Sequence, residues 1–275
     1  MNGPMTRKQF LASTTKTVAA VSAGALTGSV ITAGAQSRQA GITNAALAPW
    51  PWPYSLLDRE DMRKRGHKFY YDGGCCYAAF NALVSSLSEK IGEPYTRMPP
   101  QMMYYGGGGG AGWGTLCGAL NGAAAAVNLC VDRTNANLVI SELFGWYTQF
   151  AFPSDISNDY GAAHVFLVNR NDKRLMQTVA GSTLCHTSVS LWCSETGYKG
   201  TSSERAERCA RLTGDVCARM TELLNDFHSG KFRATFVAPE SVTGCMSCHS
   251  GKGNVLAAVK MDCQQCHKEN FQHLY

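Results

Sequence analysis

The chain has 275 residues, of which 45% are hydrophobic and 16% are charged, and its formal net charge is +5. This apolar content excludes an intrinsically disordered chain, and the length suffices for one large core or two smaller ones. Arg7, Lys8 and Lys16 lie in a segment that we expect to be removed, which lowers the charge to +2. So small a positive charge argues against a nucleic-acid partner.

Residues 1–35 have the pattern of an export signal. The basic pair Arg7-Lys8 precedes a charge-free stretch from Thr17 to Ser37, and Ala33-Gly34-Ala35 has the small residues that a signal peptidase requires. The pair resembles a twin-arginine signal in which Lys8 replaces the second arginine. No later segment has 18 apolar residues without a charge. We therefore predict a periplasmic protein whose mature chain has no stable membrane insertion.

The middle of the chain is predicted to be helical. Residues 36–71 comprise a stiff arm with the Pro-Trp repeat of 49–53 and a first helix over 56–67. Residues 72–236 form a helical body, in which periodic apolar residues, caps and stops place helices at 72–91, 115–129, 135–150, 183–196 and 201–228. Residues 165–179 are compatible with a hairpin. The glycine run 106–110 lacks the context of a phosphate loop and is interpreted as a tight turn.

Eight cysteines lie in this body without forming a Cys-x-x-Cys pair: Cys75, Cys76, Cys117, Cys130, Cys185, Cys193, Cys209 and Cys217. Cys75, Cys117 and Cys185 each fall in the first turn of a predicted helix, where free N–H groups and the helix dipole favour a thiolate. Residues eight apart on one helix, such as Cys185 and Cys193, are separated by about 12 Å. A metal centre would therefore take one cysteine from each of four helices. The pattern alone leaves three alternatives: a metal or redox site, disulfides, or buried free thiols.

Residues 237–275 carry two copies of the attachment motif for c-type haem. They are Cys245-Met246-Ser247-Cys248-His249 and Cys263-Gln264-Gln265-Cys266-His267. Two thiols at this spacing can add to the two vinyl groups of one porphyrin, and the adjacent imidazole then reaches the iron. Zinc is disfavoured because a histidine directly after the pair is not the usual zinc spacing. We predict two haems c, attached through Cys245, Cys248, Cys263 and Cys266, with His249 and His267 as proximal ligands, in a loop-rich tail.

Each haem iron also needs a sixth ligand, unless that position is open. The preferred distal ligands are His67 and His273. His67 lies in a basic stretch that we predict to be exposed, and His273 lies in the tail. His228, at the end of a long helix, and His164, in a possible buried strand, are further candidates. Met246 and Met261 are weaker ones.

The segment Cys117-Gly118-Ala119-Leu120-Asn121-Gly122 resembles the CGAxxG element of a family of redox-active proteins described as C-CGAxxG-C-C. The four-cysteine order of that family is matched by Cys75 or Cys76, then Cys117, then Cys185 or Cys193, then Cys209 or Cys217. The resemblance covers Asp72 to Phe227. Together with two C-terminal haem motifs, the layout resembles that of the split-Soret cytochromes c.

This resemblance implies properties that the spacing does not show. It implies a homodimer with two close haems per subunit, bis-histidine irons with some ligands from the other subunit, and an additional iron centre on the body. Carried over by position, the preferred ligands of an iron–sulfur-type cluster are Cys75, Cys117, Cys185 and Cys209. Cys76, Cys193 and Cys217 are alternates, and His186 could be a non-haem ligand or a donor beside the centre.

The predicted fold is mainly α: a helical, cysteine-rich body followed by a loop-rich di-haem tail. The predicted function is electron transfer with an unidentified redox partner protein, and an electron carrier is favoured over an enzyme. Two alternatives stay open. One is a small reductase with an open haem or cluster site, and the other is a thiol- or metal-based redox sensor.

Overall fold

The computed structural model describes residues 48–249 and 260–265, with Cys248 and Gln265 described by their backbone alone. The predicted export signal 1–35 and the predicted haem residues Cys266, His267 and His273 lie outside the described residues. No helix within the described ranges is long and apolar enough to span a bilayer. The architecture is mainly α, as the sequence predicts.

The first helix, α1 (Arg59–Ile91), joins the two helices that the sequence predicts for this stretch. Asp58 caps it by accepting a hydrogen bond from the backbone N–H of Asp61. Gly73 and Gly74 have non-helical backbone angles, with φ of +79° at Gly74, so the helix kinks there instead of ending. This kink adjoins the domain boundary predicted between residues 71 and 72, and it begins the segment that carries Cys75.

The other helices follow in chain order: α2 (Gly118–Cys130), α3 (Arg133–Gln149), α4 (Asp155–Ala162), α5 (Cys185–Thr196), α6 (Ser203–His228) and α7 (Glu240–His249). Short 3₁₀ helices span Tyr95–Arg97, Pro100–Gly106 and Cys263–Gln265. Strands β1 (Ala151–Phe152) and β2 (Thr178–Val179) pair antiparallel, with Ala151 opposite Val179 and Phe152 opposite Thr178.

Several local predictions need correction. Residues 165–179 do not form a hairpin of their own, because β2 pairs with β1 before α4. His164 is exposed, with φ of +55° just after α4, and is not in a buried strand. The tail is predicted to be loop-rich, but its first haem motif lies on helix α7. The predicted helix at 201–228 begins two residues later, and its N-cap is Ser202, which accepts from the N–H of Arg205 at 3.2 Å.

The core lies between α1, α2 and α6, which pack closely against one another. Helix α6 buries one apolar side, including Val216, Met220 and Leu224. Burying a side chain of this size stabilises the fold by about 1.5–3 kcal/mol. Helices α1 and α6 approach closely at Gly214, where a Cβ in place of the glycine hydrogen would lie 2.7 Å from the carbonyl oxygen of Arg63.

A buried ionic group links α1 and α6 to the start of α4. Arg63 pairs with the carboxylate of Asp215, and both side chains are buried. The same carboxylate accepts hydrogen bonds from the N–H of Ser154 at 2.8 Å and from the hydroxyl of Ser157 at 2.6 Å. Satisfying every oxygen in this way is what allows a charged pair to be buried.

Candidate metal centre

Four cysteine thiols line one small cavity of about 20 Å³ inside the body: Cys75, Cys117, Cys185 and Cys209. Each comes from a different element. Cys75 follows the kink of α1, Cys117 is the N-cap of α2, Cys185 is the first residue of α5, and Cys209 lies in α6. The structure thus brings together the four cysteines that the family resemblance favours by position.

A two-stranded contact places Cys117 beside Cys185. The backbone N–H of Cys117 donates to the carbonyl of Thr183 at 2.8 Å, and the N–H of Cys185 donates to the carbonyl of Thr115 at 2.7 Å. Between them, Leu116 and Leu184 form an isolated antiparallel bridge. The segments before α2 and α5 therefore run side by side and start both helices at the same cavity.

The glycine run passes close to Cys185. Gly109 has φ of +73°, and a Cβ there would lie 2.6 Å from the backbone nitrogen of Thr115 and 2.8 Å from the Cβ of Cys185. Burial raises the pKa of Cys75, and the neighbouring backbone of Gly108 acts on that pKa in the opposite direction. Only glycine fits so close to the cysteines, which agrees with the tight turn that the sequence predicts.

Burial favours the protonated form of Cys75, Cys117 and Cys185 when no cation is bound. Burial raises the pKa of Cys75 and Cys117, and it raises the pKa of Cys185 to about 12. The N–H groups of Ala119 and Leu120 at the start of α2 act on the pKa of Cys117 in the opposite direction, but the effect of desolvation is larger. The expected effect of a helix N-terminus is thus present at Cys117, but burial outweighs it. A metal cation would supply the missing stabilisation by replacing the protons.

Three buried side chains around the cysteines have polar groups without a hydrogen-bond partner. These groups are the hydroxyl of Tyr147, the hydroxyl of Ser188, and the Nε and Nη2 of Arg208. Ser188 and Arg208 line the cavity, and Tyr147 acts on the pKa of Cys117. Buried donors are normally satisfied. An anionic metal–thiolate group in the cavity would offer acceptors to the two side chains that line it, Ser188 and Arg208, so the residues present fit such a group.

The described part of the chain has no set of three His, Cys, Asp or Glu side chains arranged to hold one metal ion. The four thiols nevertheless converge on a single cavity. In a cluster, different thiolates bind different metal atoms, so the sulfurs stand further apart than around one ion. Cysteine thiolates are the usual ligands of iron–sulfur clusters.

The alternate ligands do not line this cavity. Cys76 packs against Gly106 and Gly122, and Cys217 packs against Gly66. Cys193 lies on α5 two turns beyond Cys185. His186 is exposed, and its Nδ1 is 3.4 Å from the hydroxyl of Ser190.

Every cysteine that the structure describes with its side chain is a free thiol. Cys130 is one of them, buried near the end of α2. The disulfide interpretation therefore has no support among these residues.

The predicted distal haem ligands of the body are engaged elsewhere or lie apart. His67 is fully buried, with its Nε2 3.0 Å from Glu207 and its ring stacked on Phe166 at 3.7 Å, so its predicted exposure was wrong. The ring of His228 stacks on Tyr54 at 4.4 Å, and burial lowers its pKa.

The first cysteines of the two haem motifs are neighbours. Burial and the adjacent thiol of Cys245 raise the pKa of Cys263. Between the motifs, the sulfur of Met261 accepts a hydrogen bond from the hydroxyl of Ser182 at 3.3 Å. This contact attaches the tail next to the segment that leads into Cys185.

A helical body whose thiols converge beside a tail with Cys-x-x-Cys-His motifs defines a redox protein of the c-type cytochrome class. Residues 76–223 match the family described as "Putative redox-active protein (C_GCAxxG_C_C)". The chain is 39% identical over 220 residues to the split-Soret cytochrome c of Desulfovibrio desulfuricans, covering 78% of this chain and 76% of that protein.

A solved structure described as a novel iron centre in the split-Soret cytochrome c from Desulfovibrio desulfuricans ATCC 27774 is also similar. Its TM-score is 0.68 at 36% identity, covering 80% of this chain and 91% of that one. The chain belongs to the split-Soret cytochrome c family and contains the C_GCAxxG_C_C domain. The resemblance inferred from the sequence is confirmed, and so is a redox protein that transfers electrons.

The family element itself requires a correction. Its description reads Gly-Cys-Ala-x-x-Gly, whereas this chain has Cys117-Gly118-Ala119 and then Gly122. Aligned on the alanine and the last glycine, the cysteine stands one residue earlier here. A Cβ at Gly118 would collide with the sulfur of Cys75. Gly118 therefore leaves space for the thiol of Cys75, and Cys117, directly before it, supplies a second thiol of the cavity.

The sequence analysis missed Tyr147, Ser188 and Arg208. The only signal was that Arg208 precedes a candidate ligand, Cys209, on an amphipathic helix. Because Arg and Lys on such helices are mostly exposed, that signal does not identify a buried guanidinium.

Proposed function

We propose that this protein is a periplasmic di-haem cytochrome c that carries, in addition, an iron–sulfur-type cluster on Cys75, Cys117, Cys185 and Cys209. The observation that carries the proposal is the convergence of these thiols, with unpartnered donors around them, on one buried cavity. When bound, the cluster and the haems supply one-electron oxidation and reduction.

The residues of the chain hold these groups and set their surroundings. The helices hold the four thiols around one cavity, at which Cys117 is buried and the other three cysteines are half-buried. Charge, hydrogen bonds to sulfur and burial are the properties by which a protein sets a cluster potential. Cys245, Cys248, Cys263 and Cys266 would hold the two haems, with His249 and His267 as proximal ligands.

One observation disfavours a thiol–disulfide sensor. Burial raises the pKa of Cys75, and it raises the pKa of Cys185 to about 12, so these two thiols are poor nucleophiles. Electron transfer is the function that the similarity to the split-Soret cytochrome c supports.

We also propose a homodimer and a second imidazole ligand on each haem iron, as the family resemblance implies. Because His67 and His228 are engaged within the body, His273 is now the preferred distal ligand. His164, exposed on the surface, stays a candidate.

The test is a visible spectrum with haem and iron quantitation on the full chain, purified after export. We expect low-spin haem at two per chain, more iron than haem, and a band that stains for peroxidase activity on a denaturing gel. Paired variants that change both cysteines of one motif to serine should each remove one haem. Iron equal to haem in the wild type would refute the cluster, and a colourless protein would refute the cytochrome.

A further inference from the structure

Helix α6 contains two buried arginines one turn apart, and their surroundings differ. Arg211 donates to the carboxylate of Glu207 at 2.7 Å and to the side-chain oxygen of Asn158 at 2.9 Å. It also donates to the carbonyls of Lys173 at 2.8 Å and Asn171 at 2.5 Å. This is the ordinary way in which a buried guanidinium is satisfied.

Arg208 has no such set of partners. It is 1% exposed, and its Nε and Nη2 have no hydrogen-bond partner. No carboxylate in the described ranges forms an ion pair with it, in contrast to Arg63 and Arg211.

The side chain of Arg208 lines the four-cysteine cavity. The groups that face it come from every element around the cavity: Cys75 from α1, Cys117 before α2, Tyr147 from α3, Cys185 and Ser188 from α5, and Cys209 from α6. None of these side chains is a carboxylate. Burial raises the pKa of Cys185 and Tyr147, and the positive charge of Arg208 acts on both in the opposite direction.

A buried guanidinium without an anion is strongly unfavourable. Because no carboxylate faces Arg208, the cavity cysteines are the groups around it that can supply a counter-charge, as thiolates bound to metal. We propose that Arg208 is the counter-charge and hydrogen-bond donor of the metal centre, and that it raises the reduction potential of that centre. This inference rests on the cluster proposed above.

The direction of the effect follows from electrostatics. Reduction adds one electron to an anionic group, and a nearby fixed positive charge stabilises the more negative state. Removing the guanidinium therefore lowers the reduction potential of the centre and increases its oxidised fraction. Arg208 is thus a positioning residue that acts on the potential through space and through hydrogen bonds.

The experiment compares Arg208→Met, Arg208→Lys and the control Arg219→Gln in the full-length holoprotein. Arg219 lies on the same helix about 16 Å further along, where it pairs with Glu222 at 3.0 Å. Iron and haem contents are measured first, followed by a redox titration of the non-haem centre by electron paramagnetic resonance.

We expect Arg208→Met to lower the reduced-to-oxidised ratio of the centre at fixed poise at least tenfold, a shift of about 59 mV for one electron. Arg208→Lys should shift it less, and Arg219→Gln should leave it unchanged. If Arg208→Met loses the non-haem iron, retention of iron at near wild-type potential in Arg208→Lys supports the proposal.

Wild-type potential in an iron-replete Arg208→Met protein overturns the role of Arg208. So does loss of the non-haem iron from both Arg208 variants. These outcomes differ from failure of the cluster proposal, in which the wild type itself contains no iron beyond its haems.

Discussion

The glycine run allows a sharp test of how closely the backbone approaches the candidate metal centre. Gly109 and Gly112 both have positive φ, +73° and +84°. A Cβ at Gly109 would lie 2.6 Å from the nitrogen of Thr115 and 2.8 Å from the Cβ of Cys185, whereas nothing lies within 4 Å of a Cβ at Gly112. The two positions therefore share the backbone conformation and differ in the contact.

Replacing either glycine by alanine costs about 1–2 kcal/mol, because an L-residue is disfavoured in the left-handed region. At Gly109 the added methyl group also overpacks the site, which costs about 1–3 kcal/mol more. We therefore expect Gly109→Ala to lower the free energy of unfolding by about 2–5 kcal/mol. The Gly112→Ala control should lose only the smaller amount.

Urea unfolding followed by far-ultraviolet circular dichroism measures both values, and iron quantitation reports the centre. Gly109→Ala should also retain less non-haem iron, because the displaced contact is with Cys185. Equal losses of stability in the two variants would refute this account. Both variants would then show only the cost of an L-residue at positive φ, without any effect of the close contact at Gly109.

Three further predictions follow from the same structure. Asp215→Asn removes the charge that pairs with buried Arg63 and should cost about 3–5 kcal/mol in urea unfolding. The exposed control Asp155→Asn should cost under about 1 kcal/mol, and similar values for both would contradict this account of the buried pair. In metal-free protein, the pKa of Cys185 rises from 9.0 to about 12. The unfolded chain therefore loses this proton first, and the urea midpoint should fall as pH rises above about 9; a midpoint that is constant between about pH 8 and pH 10.5 would argue against it. Finally, changing both residues of the pair Arg7-Lys8 to glutamine should block export of the folded body, and normal export through the unfolded route would count against a twin-arginine signal.

Local patterns account for most of what could be predicted. The helix positions follow from apolar periodicity, caps and stops, all of which act within a few residues. The helix boundaries were predicted less accurately where a glycine can either kink or end a helix, and where two neighbouring residues can each act as the N-cap. Gly73 and Gly74 kink α1 without ending it, and Ser202 replaces its neighbour as the N-cap of α6.

Predictions about exposure failed where the decision depended on distant residues. The basic stretch around His67 reads as surface, yet its imidazole lies between Glu207 of α6 and Phe166. Neither partner is near it in the chain. A histidine in a basic run can thus be buried when another helix supplies a carboxylate as its hydrogen-bond partner.

The sequence alone predicts a helical chain whose tail carries two haem-attachment motifs and whose body contains eight cysteines outside Cys-x-x-Cys pairs. These properties depend on spacing within one turn or one loop. Which cysteines meet was decided by the tertiary structure, because the four thiols of the cavity come from elements far apart in the chain. Only that packing leaves Arg208 buried beside them without a partner, and no local pattern could reveal a charge whose surroundings are assembled from several helices.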